Sequence, residues 1–373
     1  MKQYHNLLET ILSKGTLKDA SRDNMPKTIS LFGGLKCTYD LSKGFPILTT
    51  KKISFKTIVT ELLWFLRGDT NIKYLVDNKC NIWNEDAYAY YCKVVKKFSI
   101  QTEEPPFTLL MDDPNENKLR PLSFSEFIAC IKENKISSYS NYTLGDCGVQ
   151  YGELWRRFKG VNGDGDVVVI DQIKEVIRTL KTMPESRRHI IVAWNPCTLD
   201  DMALNACHTL VQFNCRKVSI EERSEIATNL LGNYDTSTNV DYMHKWFNKY
   251  NIPEYYLDCE LYQRSADTFL GVPYNISSYA LLTVMLCKIA NMIPGQFIHS
   301  FGDAHIYENH VTQVKEILSR DTEKYSLPKL VLNNEINWQQ DFDELLKEDN
   351  LFSLENYQSY DTIKAELSTG INK

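Results

Sequence analysis

Apolar residues recur at helical spacing from the first turn of the chain. Tyr4, Leu7, Leu8, Ile11 and Leu12 form an i, i+3, i+4, i+7, i+8 stripe, and Gly15 follows as a stop. A second stripe runs through Phe55, Ile58, Val59, Leu62, Leu63 and Leu66 and ends at Gly68. Val211-Gln212-Phe213-Asn214-Cys215 alternates with period two, the pattern of a half-buried strand. Ile190 to Trp194 and Leu257 to Gln263 also read as strands. The most apolar stretch, Ile276 to Ile293, is interrupted by Lys288 and Asn291, so it reads as a buried helix and not a membrane span. Helices and strands interleave without a regular βαβ rhythm, which predicts an α+β fold.

Two stretches are more polar than their flanks. Residues 86–143 carry tyrosine clusters, Glu103-Glu104-Pro105-Pro106 and Asp112-Asp113-Pro114-Asn115, with a short helix expected near Phe124 to Ile131. Residues 218–256 hold an amphipathic piece at Met243 to Tyr250. No internal repeat is present. The expected organisation is one domain over 1–373, decorated by insertions at about 86–143 and 218–256.

Composition narrows the function. Of 373 residues, 43% are hydrophobic and 24% charged, as in a globular protein and unlike a disordered chain or a fibre. The net charge of −6 argues against a nucleic-acid coat or a basic membrane-surface protein, though not against a local phosphate pocket. The closest of ten cysteines, Cys207 and Cys215, are eight apart, so no C-x-x-C metal or redox pair exists. MKQYHNLLET lacks a signal-peptide apolar core, and the expectation is a cytoplasmic protein with mostly buried free thiols.

Several segments concentrate reactive groups. Cys207 sits beside His208, and Gln263-Arg264-Ser265-Ala266-Asp267 ends a strand with a cation, a hydroxyl and a carboxylate. An arginine near a cysteine favours the thiolate nucleophile. Arg187-Arg188 suits bidentate phosphate binding, but on spacing alone a solvated strand start is the favoured reading. Phe301-Gly302-Asp303-Ala304-His305-Ile306-Tyr307 gathers an acid, an imidazole and a phenol. The five-residue step from His305 to His310 suits neither a helical nor a strand metal pair, so no metal is expected. Glu61, on an otherwise apolar helix, reads first as exposed, the other reading being a buried carboxyl with a raised pKa.

Taken in order, Gly68-Asp69-Thr70-Asn71, Pro184-Glu185-Ser186-Arg187-Arg188, Ala206-Cys207-His208, Gln263 to Asp267, Asn275 to Ala280 and Gly302 to Tyr307 resemble the signatures of the thymidylate synthase and pyrimidine hydroxymethylase family. The resemblance covers the chain outside the two polar stretches. It implies a large curved mixed β-sheet flanked by helices and a homodimer formed through that sheet. It implies dUMP as substrate and 5,10-methylenetetrahydrofolate as one-carbon donor, with no metal. Cys207 would add to C6 of the uracil. Arg22, Arg264 and Ser265 would hold the 5′-phosphate, with Arg187 and Arg188 reaching across the dimer interface. Asn275 would read the base, donating to O4 and accepting from N3–H. His305 and Tyr307 would bind the 3′-hydroxyl. Glu61 and Tyr151 would serve proton transfer. Ile82, Trp83, Asp267, Leu270, Gly271 and Tyr274 would line the folate site.

The departures from the family pattern cluster on the folate side. A second tryptophan after Trp83 is replaced by Asp86, a folate-facing histidine by Ser54, the proline before the nucleophile by Ala206 and a phenylalanine by Tyr274. The phosphate loop is altered at Asp23 to Thr28. The family's apolar tail after Ile-Lys-Ala becomes Glu366 to Lys373, which displaces the terminal carboxylate. Both known outcomes share an exocyclic methylene at C5, and water in place of hydride gives a hydroxymethyl product. A loosened latch favours water. The leading expectation is therefore a dUMP 5-hydroxymethylase. The alternative is thymidylate synthase, giving dTMP and dihydrofolate. A third reading is a catalytically silent nucleotide-binding homologue.

Overall fold

The elements that position the candidate site follow the sequence periodicities closely. The computed structural model describes residues 1–19, 25–101, 110–113, 118–232 and 239–367. The helices that matter are α1 (Lys2–Lys14), α2 (Phe55–Leu66), α3 (Asn84–Gln101), α4 (Phe124–Lys132), α5 (Tyr151–Arg156), α6 (Gln172–Thr182), α7 (Ile220–Leu231), α8 (Val240–Lys249) and α9 (Gly271–Ala290). The strands of the main sheet are β1 (Thr16–Lys18), β2 (Thr28–Asp40), β3 (Ile190–Val192), β4 (His208–Lys217), β5 (Tyr255–Asp267) and β6 (Ile293–Tyr307). They lie in the order β1-β2-β6-β5-β4-β3. Only β5 and β6 run parallel, and every other pair in this sheet is antiparallel, so the sheet is mixed.

Local chemistry explains the boundaries. Ser54 caps α2 by accepting from the Thr57 amide at 3.2 Å. Asp267, at the end of β5, accepts from the Phe269 and Leu270 amides at 3.0 and 3.1 Å and so turns the chain into α9. Helix α9 is buried on almost all sides, which is why its sequence shows no amphipathic stripe. It packs with α1 on the sheet, and Phe32 and Tyr262 remain exposed on sheet strands. At Gly302 a Cβ would meet the Arg264 carbonyl oxygen at 2.6 Å, so only glycine lets β6 pass this close to β5.

One core cluster extends from Tyr4 to Ile363 and takes in the first polar stretch through Tyr91, Val95, Leu122, Phe127 and Ile131. The expected short helix there is α4, which opens on a capping box between Ser123 and Glu126. The second polar stretch differs. Its helices α7 and α8 close a small core of their own: Ala227, Met243, Phe247 and Ile252. Fully buried Arg223 joins them, donating to His244 Nδ1, Asn248 Oδ1 and the Ile252 carbonyl. All ten cysteines are free thiols, but only half are buried, and Cys197 is exposed. Among the described residues no helix is long and apolar enough to cross a membrane.

Candidate active site

Cys207 lies in the turn leading into β4, and two groups hold that turn. The Cys207 and His208 amides both donate to the Tyr151 hydroxyl oxygen, at 2.8 and 3.3 Å. Arg264, on β5, donates from Nε to the Ala206 carbonyl at 2.8 Å and from Nη2 to the Asn205 carbonyl at 2.7 Å. The Cys207 thiol is half-buried, with Sγ 3.8 Å from the Asn205 carbonyl oxygen. A cation therefore straddles the loop that presents the sulfur, and its planar face lies over Trp194.

Tyr151 opens α5 and is buried between Phe65, Trp83 and Trp155, with ring centroids 4.7, 6.2 and 6.3 Å away. Burial, reinforced by the nearby Cys207, pushes its phenol well above the ordinary range. Its oxygen accepts two amides, and its own O–H remains the group's donor. Glu61, on α2, is buried at 8% exposure and accepts from Trp83 Nε1 at 2.8 Å. Burial pushes the Glu61 carboxyl up to about 7, against the downward pull of the indole bond. The exposure expected of Glu61 is thus overturned, and the residue is a buried acid poised near neutrality.

Asn275 is buried at 7% exposure on α9 and is hydrogen-bonded to His208. Burial drives His208 down to about 4 despite that bond, so its ring is neutral at physiological pH. It sits between Tyr151 and Tyr279, at 5.1 and 5.3 Å. On β6, Asp303, His305 and Tyr307 project from alternate positions to one face, while Ala304 and Ile306 point into the core. Ser265 faces Asp303 across the β5–β6 ladder. Cys207, Tyr151, Trp83 and Glu61 are joined by hydrogen bonds and a ring contact, the Arg264 amide donates to the Cys207 carbonyl at 2.9 Å, and Asn275 is connected through His208.

The folate-side candidates gather around the start of α9. Leu270 stands at its N-cap and Gly271 begins it, Asp267 holds the turn just before it by accepting from the Leu270 amide, and Tyr274 lies half-buried and hydrogen-bonded to the Ser54 backbone. Ile82 is half-buried beside Trp83. Asp86 lies half-buried on α3. Arg187 and Arg188 are exposed just before β3. Arg22 and residues 368–373 lie outside the described residues. The tail before them is held down: Tyr357 Oη donates to the Leu48 carbonyl at 2.7 Å, the Tyr360 amide donates to the Thr49 carbonyl, and His310 Nε2 lies 2.8 Å from the Glu366 carbonyl oxygen.

Three chemistry-bearing groups were not singled out from sequence as site residues. In the sequence His208 stands out only as the neighbour of a cysteine. Gln263, whose Oε1 lies 2.8 Å from His299 Nε2, and Asp303 were visible only as members of motifs. Among the described residues no group of three or more metal-binding side chains occurs.

A family model described as thymidylate synthase matches residues 2–369. The chain is 38% identical to a protein named thymidylate synthase from Listeria monocytogenes serotype 4a (strain HCC23), covering 99% of this chain and all of that one. It is 39% identical to the protein of the same name from Mycoplasma mobile, again over 99% and 100%. A further relative so named, from Staphylococcus haemolyticus, is 39% identical over 89% of this chain and 88% of its own length.

Proposed function

The chain belongs to the thymidylate synthase family, and on that premise we propose that it converts dUMP and 5,10-methylenetetrahydrofolate into dTMP and dihydrofolate. The observation that carries this reading is the convergence on one turn of Cys207, its brace Arg264, the phenol of Tyr151 and, through Trp83 and Tyr151, the near-neutral carboxyl of Glu61. These are a nucleophile, a cation and a proton-transfer pair, the parts that a covalent one-carbon transfer needs.

In this reading Cys207 Sγ bonds to C6 of dUMP, and C5 takes up the electron pair. C5 then bonds to the carbon unit as one of that carbon's two bonds to nitrogen opens, and later gives its proton to water held by Tyr151 as the second carbon–nitrogen bond breaks; hydride then adds to the resulting methylene. Tyr151 acts as a neutral phenol, because burial keeps it protonated. Glu61 receives or supplies protons on the O4 side, for which a value of about 7 suits it. Expulsion of Sγ restores the ring. The folate supplies both the carbon and the hydride. The residues present fit it: one Asp267 oxygen is used by the turn into α9, the other is not used by that turn and can accept from an N–H, and Trp83 and Tyr274 offer aromatic surface.

Asn275 reads uracil, with neutral His208 behind it. Arg264 and Ser265 take the 5′-phosphate together with Arg22, and His305 and Tyr307 take the ribose. Arg187 and Arg188 reach the phosphate of a second copy. Their exposure, and the exposed Phe32 and Tyr262 on the sheet, support a homodimer through that face. The chain reads as one cytoplasmic catalytic domain with two insertions.

The 5-hydroxymethyl product, the leading expectation from sequence, gains no support. The relatives carry the name thymidylate synthase. Ser54 is used as a helix cap, and the tail is bonded to the body as far as Glu366. The test is covalent trapping. With 5-fluoro-dUMP and methylenetetrahydrofolate, C5 has no proton to lose, so a ternary adduct should accumulate and map to the Cys207 peptide. No adduct would favour the silent homologue, and an adduct on Cys197 would overturn the assignment.

A further inference from the structure

The carboxylate of Asp303 is the hub of a small network beside the ribose-side residues. Its Oδ2 accepts from Lys18 Nζ, on β1, at 2.7 Å. Its Oδ1 accepts from Ser30 Oγ, on β2, and lies 3.3 Å from His305 Nδ1. A register shift between Phe301 and Asp303 in the β6–β2 ladder sets the direction of this side chain, and Ser30 pairs directly with His305 in the same ladder. The His305 backbone is fixed too, since its carbonyl accepts from the Thr268 amide at 3.0 Å and from Thr268 Oγ1 at 2.7 Å.

Bonds to His305, Lys18 and Ser30 hold the Asp303 carboxyl far below the usual range despite partial burial. An ionised carboxylate only accepts. The proton of a neutral His305 ring must then lie on Nδ1, and Nε2 carries the lone pair. Among the described residues Nε2 has no partner.

We propose that Asp303 fixes the tautomer of His305 and thereby makes the site selective for a nucleotide with a free 3′-hydroxyl. The inference rests on the dUMP reading above and deepens it. A 3′-hydroxyl donates to the exposed lone pair. A 3′-deoxy sugar leaves the lone pair unpaired, and a 3′-phosphate, which has no proton to donate at neutral pH, is repelled by it. Asp303 is a positioning residue here, and Lys18 and Ser30 hold the carboxylate in place.

The test compares kcat/KM for dUMP with that for 2′,3′-dideoxyuridine 5′-monophosphate. The wild type should prefer dUMP by at least tenfold, about the effect of one well-formed hydrogen bond to a buried partner. Asp303→Asn, whose amide both donates and accepts, permits either tautomer and should reduce the preference to a few-fold, through KM for dUMP more than kcat. Lys18→Met removes one support of the carboxylate but spares the Asp303–His305 contact, and should reduce the preference less than Asp303→Asn does; an equal or larger reduction would overturn the role given to that contact. An unchanged ratio in Asp303→Asn with normal turnover would overturn the inference alone. No dUMP turnover by the wild type would overturn the underlying reading and the inference with it. Should Asp303→Asn not fold, the wild type still decides: nitrogen NMR of labelled histidine must show His305 protonated at Nδ1, and a proton on Nε2 of the neutral ring would refute it.

Discussion

Replacing Trp83 with phenylalanine should move the pH profile upward without abolishing activity. The Trp83 indole donates to Glu61 Oε1 at 2.8 Å inside a buried aromatic cluster. Burial raises the Glu61 carboxyl to about 7, and this bond is what keeps it from rising further. A hydrogen bond to a charged group contributes roughly 1.5–3 kcal/mol. At about 1.4 kcal/mol per pH unit, its loss raises the Glu61 midpoint by roughly one to two units. Half the wild-type protein is then ionised at pH 7, against about a tenth or less of Trp83→Phe. The acid limb of kcat/KM for dUMP, which reports groups of the free enzyme, should shift by that amount. At pH 7 the loss is roughly fivefold or more, and it should shrink as pH approaches 9. Contacts with Trp64 and Phe65 are also weakened, but that cost does not vary with pH. An acid limb that stays in place, or a loss equal at every pH, would refute the coupling of Trp83 to Glu61.

Three further outcomes follow from particular side chains. Glu61 binds its proton more tightly when folded than at its ordinary 4.5, so it lowers stability progressively as pH rises from about 4.5 through about 7. Glu61→Gln should therefore be inactive yet more stable by roughly 3 kcal/mol at pH 8, with little gain near pH 4.5, read by denaturant titration at both pH values. Asn275→Asp should narrow the preference for dUMP over dCMP, since leaving a buried polar group unpaired costs roughly 1–3 kcal/mol per group. Equal wild-type efficiency on both nucleotides would contradict the base-reading role. Arg223→Ala should strand Asn248 and the Ile252 carbonyl and accelerate amide exchange across α7 and α8, while dUMP turnover stays within twofold.

What the sequence revealed, and what it hid, has a physical pattern. Helix α1 was legible because it buries one side, so period and boundary coincide from Tyr4 to Leu12; α2 shows its stripe in its first turns but is buried all round from Thr60 to Leu66. Strand β4 was legible for the same reason as α1, at period two. Helix α9 offered no stripe, since its sides are buried nearly all round, and only its length and apolar content marked it. The state of Glu61 was undecidable from spacing: a carboxylate on an apolar helix has two solutions, and the choice depends on Trp83, distant in sequence and supplied by tertiary packing. Ser54 was read as a lost ligand, although its position before α2 also fits an N-cap, which is the role it takes. The docking of the tail onto Leu48 and Thr49 could not be seen from its polar composition, because the bonds are largely to backbone groups that any sequence presents. Nothing in the spacing of Asp303 or Gln263 marks them as site residues, because Lys18, Ser30 and His299, which bond them, are distant in sequence and lie on other strands.

The fate of the carbon added at C5 separates the two products. The direct measurement is a mass balance after incubation with dUMP and methylenetetrahydrofolate, counting nucleotide and folate products together. dTMP and dihydrofolate should appear in one-to-one ratio, with no 5-hydroxymethyl-dUMP. Accumulation of 5-hydroxymethyl-dUMP with intact tetrahydrofolate would contradict the proposed function and return the altered folate side, Asp86 and the extended tail, to the centre of the chemistry.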